Sequence, residues 1–383
     1  MKKIFIISGS ALFVVLFFLG IYNVVFQKKN QNYQKEEPSS QAANNATDNQ
    51  SLQKKQDGTI ISITDGGILG LFMDKNKKQL LYYSASDGSV WQLGDDGKDP
   101  VNISATILNN IIDAQWSPDR NMAITRFNKD GKDAFYVYNY ISKKSTQLKE
   151  GIDMIVWDGL GKKIIYKYFD AKTKKRSLNI ANPDGSNWQS LVDDISMRNV
   201  SIAQIPLSSM ISFWNAPSSK EETQLHVVGV VGGNQKVIFS GKFGADYLWS
   251  PDGSHALVSS LQDTSGTKMN LGYIDAYGSD YKDLGISTMA SKCAWSGDSR
   301  TVYCGVPGDF STGTTMPDDY INKKVFSVDT FWKINIQTGK KDLLVQPQNI
   351  KGEYDASNLI LSSTESYLFF INRKDNKLYR ISL

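Results

Sequence analysis

Hydrophobic positions change rhythm twice along this chain. From Ile4 to Phe26 the residues are mostly apolar, with no charge in 23 positions. From Gln27 to Asp57 large apolar side chains nearly disappear among Gln, Asn, Lys and Ser. From Gly58 onward, short apolar runs recur, many of them alternating, between polar turns rich in Gly, Asn, Asp and Lys. Alternation over four to eight residues bounded by turn formers predicts strands, and no stretch after residue 26 sustains a helical period.

The short runs repeat as a unit. An apolar anchor precedes a tight turn at Trp116-Ser-Pro-Asp119, Trp157-Asp-Gly-Leu160, Trp249-Ser-Pro-Asp-Gly253 and Trp295-Ser-Gly-Asp298. The steps are 41 and 46 residues where tryptophans are adjacent, and the 92 between Trp157 and Trp249 leave room for one degenerate copy. Ile205-Pro-Leu-Ser-Ser209 fills that place, and Leu71-Phe-Met-Asp74 and Leu359-Ile-Leu-Ser-Ser363 add a copy at each side. Each copy continues with a second strand, a third after a polar loop, and a short fourth ending near Leu148, Leu191, Leu284 or Leu343. Four antiparallel strands per forty-odd residues, seven times over, predict an all-β, seven-bladed β-propeller of four-stranded antiparallel blades, preceded by one transmembrane helix. A β-sandwich does not account for seven aligned copies. The domain reading is an anchor at 1–26, a disordered linker at 27–57 and the propeller at 58–383.

These repeats resemble the TolB-type (WD-like) propeller family, whose blades carry Trp-Ser-Pro-Asp-Gly at the first hairpin. The match is closest at Trp249 to Gly253, partial at Trp295 to Asp298, and lost in the fourth repeat. The resemblance implies a cell-envelope protein whose propeller docks other proteins. The motif itself specifies a fold and no chemistry.

At 1.5 Å rise per residue, Ile4 to Phe26 gives about 35 Å of helix, enough for a hydrocarbon layer of roughly 30 Å. A cleaved signal peptide has a shorter apolar core and a small-x-small site, so a retained anchor is expected. Lys2 and Lys3 are expected in the cytoplasm and the propeller on the extracytoplasmic (periplasmic or extracellular) side, although Lys28, Lys29 and Lys35 compete.

Composition narrows the chemistry. A net charge of +4 with no basic stripe argues against nucleic acid as a partner. Two histidines, His226 and His255, and two cysteines leave no His-rich or Cys-based metal site, and no cofactor is expected. No Gly-x-Ser-x-Gly elbow is present. Ser84 to Trp91 approaches a sialidase box but lacks its aspartate, and the Asp95 to Asp99 and Asn128 to Asp133 loops read as β-turns before calcium loops. The expectation is therefore a binding protein and not an enzyme. Alternatives are a glycan- or small-ligand-sensing propeller, or a degenerate propeller enzyme.

Two groups of residues stand out as a partner site. Asp113 and Asp246 lie three residues before a blade tryptophan, Asp153 lies four before, and Asp355 opens the last repeat, so these carboxylates either ring one channel mouth or cap strand ends. Between the second and third strands of the sixth repeat, Gly305 to Val328 forms a long insert containing Phe310, Met316, Asp318, Asp319 and Tyr320. Connections of this length in a compact fold are functional or disordered, and the aromatic content argues for order. The tryptophans invite a sugar-stacking role, but their shared repeat position favours packing between blades.

Two structural expectations complete the reading. A two-residue loop at Asp298-Ser299 places Cys293 opposite Cys304 and predicts a disulfide, which suits an oxidising compartment. The last repeat supplies three strands, so Thr59 to Thr64 is expected to pair beside the C-terminal strand and close the ring.

Overall fold

The computed structural model describes residues 59–262 and 266–383. Within them, seven four-stranded antiparallel sheets form a seven-bladed propeller. Blades 1 to 6 cover residues 68–104, 111–147, 152–192, 200–243, 246–283 and 293–343. The seventh takes Ala356–Leu361, Tyr367–Asn372 and Leu378–Ser382 from one end of the fold and Ile60–Ser62 from the other. First strands pack together between blades 1 and 2, 3 and 4, 6 and 7, and 7 and 1, so the circle is closed. No described helix is long and apolar enough to cross a membrane. The expected anchor at 1–26 and linker at 27–57 lie outside the described residues.

Register explains why seven divergent hairpins superimpose. The cross-strand pairs Met73↔Leu80, Trp116↔Ala123, Trp157↔Ile164, Gln204↔Ile211, Trp249↔Ala256, Trp295↔Val302 and Leu361↔Leu368 share one spacing. The fourth blade thus corrects the sequence reading: Gln204, not Ile205, holds the tryptophan position. Ile205 instead opens the turn, its N–H donating to the Met210 carbonyl at 2.9 Å.

Each blade tryptophan faces its neighbour. Trp116, Trp157 and Trp295 donate their indole N–H to Gly70, Gln115 and Leu248 carbonyls of the preceding blade, each at 3.0 Å, and Trp249 donates to Ser212 Oγ at 2.8 Å. A buried indole thus adds apolar area and satisfies its one polar atom. These four are packing residues and not sugar platforms. The Ser-x-Asp of the motif is equally structural: Ser117 Oγ donates to Asp119 and Ser250 Oγ to Asp252, both at 2.7 Å. Gly253 adopts φ +70°, and a Cβ there would stand 2.3 Å from the Pro206 carbonyl oxygen, which explains the glycine of the best-preserved motif.

Between blades the core is apolar and repeats outward. Leu148, Leu191 and Leu284, at the ends of their fourth strands, are each buried in the cluster that joins their blade to the next. Burying one such side chain contributes on the order of 2 kcal/mol. Blade 7 closes through Ile60↔Ile381, Ile61↔Arg380 and Ser62↔Tyr379, extended by the Ile63 N–H donating to the Leu378 carbonyl at 2.8 Å. The N-terminal clasp is therefore present. So is the disulfide: Cys293↔Cys304 are directly opposed, with Cα atoms 4.1 Å apart.

Candidate functional site

The long connection of blade 6 is shorter than the sequence suggested, because its second strand, Thr301–Pro307, continues past Gly305. Residues 308–328 remain, closed at the base by the Gly308 N–H donating to the Val328 carbonyl at 2.9 Å. They fold back on the propeller around a short helix, Asp318–Ile321. Met316 and Tyr320 are buried with Met269 of blade 5 and Met289 ahead of blade 6, while Phe310, Val325 and Leu261 pack half-buried around them. Met316 and Tyr320 thus hold the insert down rather than present themselves to solvent. Ile321, Phe326 and Val328 are its exposed apolar side chains, at 44–49% exposure. Asp319 accepts from the Thr315 N–H at 2.8 Å and pairs with Lys324 at 2.9 Å, bracing the helix from within.

Under the insert lies a buried ionic cluster. Lys292, at the end of the 3₁₀ turn Ala290–Lys292, is 1% exposed. Its ammonium lies 2.8 Å from Asp329, 2.7 Å from Asp355, 2.9 Å from the Tyr320 phenol and 3.0 Å from Ser327 Oγ. Arg373 reaches the other oxygen of Asp355 at 3.3 Å and lies over the Tyr320 ring at 3.8 Å. Two cations and two carboxylates therefore balance. Burial works against the charge on Lys292, but Asp329, Tyr320 and Asp355 together hold its pKa above the ordinary lysine value. Burial likewise opposes ionisation of Asp355, yet Lys292 and the hydroxyls of Tyr320 and Ser327 keep its carboxyl below the usual range. One oxygen of Asp329 has no hydrogen-bond partner among the described residues, and burial pushes that carboxyl up.

Sequence reading singled out Asp355 and Tyr320 but missed Lys292 and Asp329. A signal existed. Lys292 stands three residues before Trp295, the place that Asp113 and Asp246 occupy before their own tryptophans. A reversed charge at one repeat position, in the blade that carries the insert, marks a place where a partner charge must arrive from elsewhere.

The insert also reaches blade 4. Asp318 accepts from the Ser219 N–H at 2.7 Å and from Ser218 Oγ at 3.2 Å. Partial burial opposes it, but these bonds hold the Asp318 carboxyl below its ordinary value. Between the helix and blade 4 opens a groove of about 1010 Å³. Asp194, Glu221, Glu222 and Asp318 line it against one guanidinium, Arg198, with Ile321 at its rim. His226 also lines it, stacked on Phe213 with ring centroids 5.0 Å apart. Burial lowers the pKa of His226, so the ring is neutral at pH 7.

The three remaining aspartates do not join this groove's lining. Asp113 lies across from Arg126 in the register and accepts from the Ala114 N–H at 2.9 Å. Asp153 pairs with the buried Lys167 at 2.8 Å. Asp246 accepts from the Trp214 indole at 3.0 Å, and burial raises its carboxyl. Each carboxylate has a partner within its own blade or its neighbour, although Asp153 itself stays exposed. Among the described residues no group of three or more His, Cys, Asp or Glu side chains is arranged to hold a metal ion.

No protein-family model matches the sequence, and no curated protein matches it. Solved structures do match by shape. Oligogalacturonate lyase from Vibrio parahaemolyticus is similar at 11% identity and TM-score 0.62, over 84% of this chain and 93% of that one. An oligogalacturonate lyase in complex with manganese is similar at 12% identity and TM-score 0.60, over 86% and 94%. TolB from Acinetobacter baumannii is similar at 11% identity and TM-score 0.46, over 72% and 62%. At such identities the likeness to the two lyases shows the propeller fold. It also corrects one expectation, that the chain is not an enzyme. Missing motifs were the ground for it, yet enzymes share this propeller over nearly their whole length. The fold therefore does not set a binding protein apart from a catalyst.

Proposed function

We propose that this chain is a protein-binding propeller of the cell envelope that receives a basic, extended segment of its partner in the groove between the insert and blade 4. The observation behind this reading is the groove's charge: four carboxylates face one guanidinium in a lining that a single neutral imidazole does not offset. Such a cleft attracts cationic groups and speeds their arrival. The uncharged run from Ile4 to Phe26 and the Cys293–Cys304 disulfide support the envelope setting and the extracytoplasmic side.

Asp194 and Glu221 are exposed, so Asp194→Lys with Glu221→Lys tests the reading without disturbing the core. A labelled arginine-rich peptide should bind the full chain saturably, and the double variant should weaken it about tenfold and flatten its salt dependence. Equal binding by wild type and variant at low salt removes the groove as the partner site.

A second reading is favoured by His226. A neutral imidazole in a polar groove of this size suits a small ligand, an oligosaccharide included, on which it acts as a proton acceptor. His226→Asn that leaves glycan-array binding and glycan turnover unaltered would count against it.

A further inference from the structure

At the end of the fourth strand, aligned through the hairpin registers, blade 1 departs from blades 2, 3 and 5. Leu148, Leu191 and Leu284 turn inward there and are buried. Paired with Val90 as Leu148 pairs with Phe135 and Leu284 with Leu271, Ser104 holds that place in blade 1, and Ile103 before it is 45% exposed, with Val101 at 51%. Pairing of Val90 with Ser104 and Trp91 with Asn102 leaves Ile103 as the extra residue of a β-bulge. Blade 3 has a bulge at the same place, yet its extra residue, Leu191, is buried. The bulge alone does not turn Ile103 out.

The volume that such a leucine fills elsewhere is open here. A cleft of about 530 Å³ lies between blades 1 and 2, with Val90 and Ser104 on one side and Phe127, Tyr136 and Tyr138 on the other. Its floor is rigid: the Tyr83 and Tyr140 phenols meet at 2.5 Å, and Trp116 stacks on Tyr140 with ring centroids 5.0 Å apart. Lys129 is the one charged residue of the lining. Ile107, 65% exposed, sits between two lining residues, Thr106 and Leu108.

The strand beside this cleft is also unguarded. Val101–Ser104 is an edge strand, bonded to blade 1 on one side only. Outer strands of blades 2, 4, 5 and 6 carry lysines, at Lys144, Lys236, Lys282 and Lys341, the usual defence against strand addition. Val101–Ser104 carries no charge and exposes two β-branched apolar residues instead.

We infer that this edge and cleft form a second binding site, for an extended peptide of a partner protein. The peptide adds as a strand beside Val101–Ser104 and sets an apolar side chain into the space the repeat's leucine leaves empty. A carboxylate next to that anchor meets Lys129. Main-chain bonds supply affinity in this mode and the side-chain cleft supplies selectivity. The repeat itself identifies the occupant, since after blades 2, 3 and 5 the same place holds a buried, strand-borne leucine. This site is independent of the acidic groove.

The test uses the full chain and a labelled eight-residue peptide of alternating threonine and valine, with one central leucine followed by glutamate. Fluorescence anisotropy should show saturable binding. Ile103→Lys, which restores the edge lysine of other blades at an exposed position, should weaken it about tenfold with no change in melting temperature. Lys129→Glu should do the same, and exchanging the peptide's glutamate for lysine should restore binding to that variant. Glu221→Lys in the acidic groove should leave this peptide's binding as it was. Absence of saturable binding, or binding indifferent to Ile103→Lys, overturns the inference. So does a dimer in sedimentation that Ile103→Lys dissociates, because the edge then belongs to a second copy of the chain.

Discussion

The Tyr320 phenol donates to the Asp355 carboxylate at 2.6 Å, joining the blade 6 insert to the residue that leads into the first strand of blade 7. Lys292 lies against both groups. A buried, balanced cluster of this kind is not by itself strongly stabilising, since desolvation offsets much of its attraction, but removing one member leaves an uncompensated charge. Its effect is to fix where the insert sits.

Lys292→Met should therefore cost about 3–5 kcal/mol of folding stability, measured by denaturant unfolding. Adding Asp329→Asn should recover part of that loss, because it removes one of the stranded carboxylates. A single variant within about 1 kcal/mol of wild type would show that the cluster is dispensable.

Tyr320→Phe keeps the ring under Arg373 and removes only the hydroxyl. The expected loss is about 1–3 kcal/mol, with faster proteolysis confined to residues 308–328. Unchanged cleavage in that segment would place the anchoring of the insert in its methionines instead.

The disulfide closes a short loop between residues 11 apart in sequence. Replacing both cysteines by alanine should lower stability by about 2–3 kcal/mol, and reductant added to the wild type should reproduce the shift. Two titratable thiols in denatured, non-reduced protein would contradict the pairing.

Acid sensitivity should arise at the hairpin of blade 5. Although partial burial acts the other way, bonds from Ser250 and Ser254 bring the Asp252 carboxyl down to about 2. Its folded pKa lies below the unfolded value of about 3.9, so its contribution is complete above that value and is lost as pH falls toward 2. Stability of Asp252→Asn should fall less steeply than wild type across that window. Parallel curves would mean that other carboxylates set the acid limb.

Much of the fold was legible because the repeat is short-range: each Trp-turn-strand unit declares its own hairpin, and Asp298-Ser299 fixed the cysteine register within a dozen residues. Gln204 was misread because Ile205 is apolar and stands one place away, and only cross-strand pairing tells them apart. The site was less legible. Asp318 meets Ser219, and Lys292 meets Asp355, across blade boundaries that no local pattern encodes. What the sequence did contain was the exchange of Asp for Lys before Trp295.

Pairing of Ile60 with Ile381 spans nearly the whole described fold. Contacts so distant along a chain are slow to form, because the loop between them must be ordered before they contribute. Blades 2 to 6 are built from neighbouring strands and can assemble early, while the faces of blades 1 and 7 wait, with Ile68, Leu80, Phe369 and Leu378 uncovered. Variants at Ile60, Ile63 or Leu378 should thus aggregate during refolding more than their equilibrium stability accounts for. Rapid dilution from denaturant at rising protein concentration would reveal that kinetic exposure as yield falling faster than in wild type.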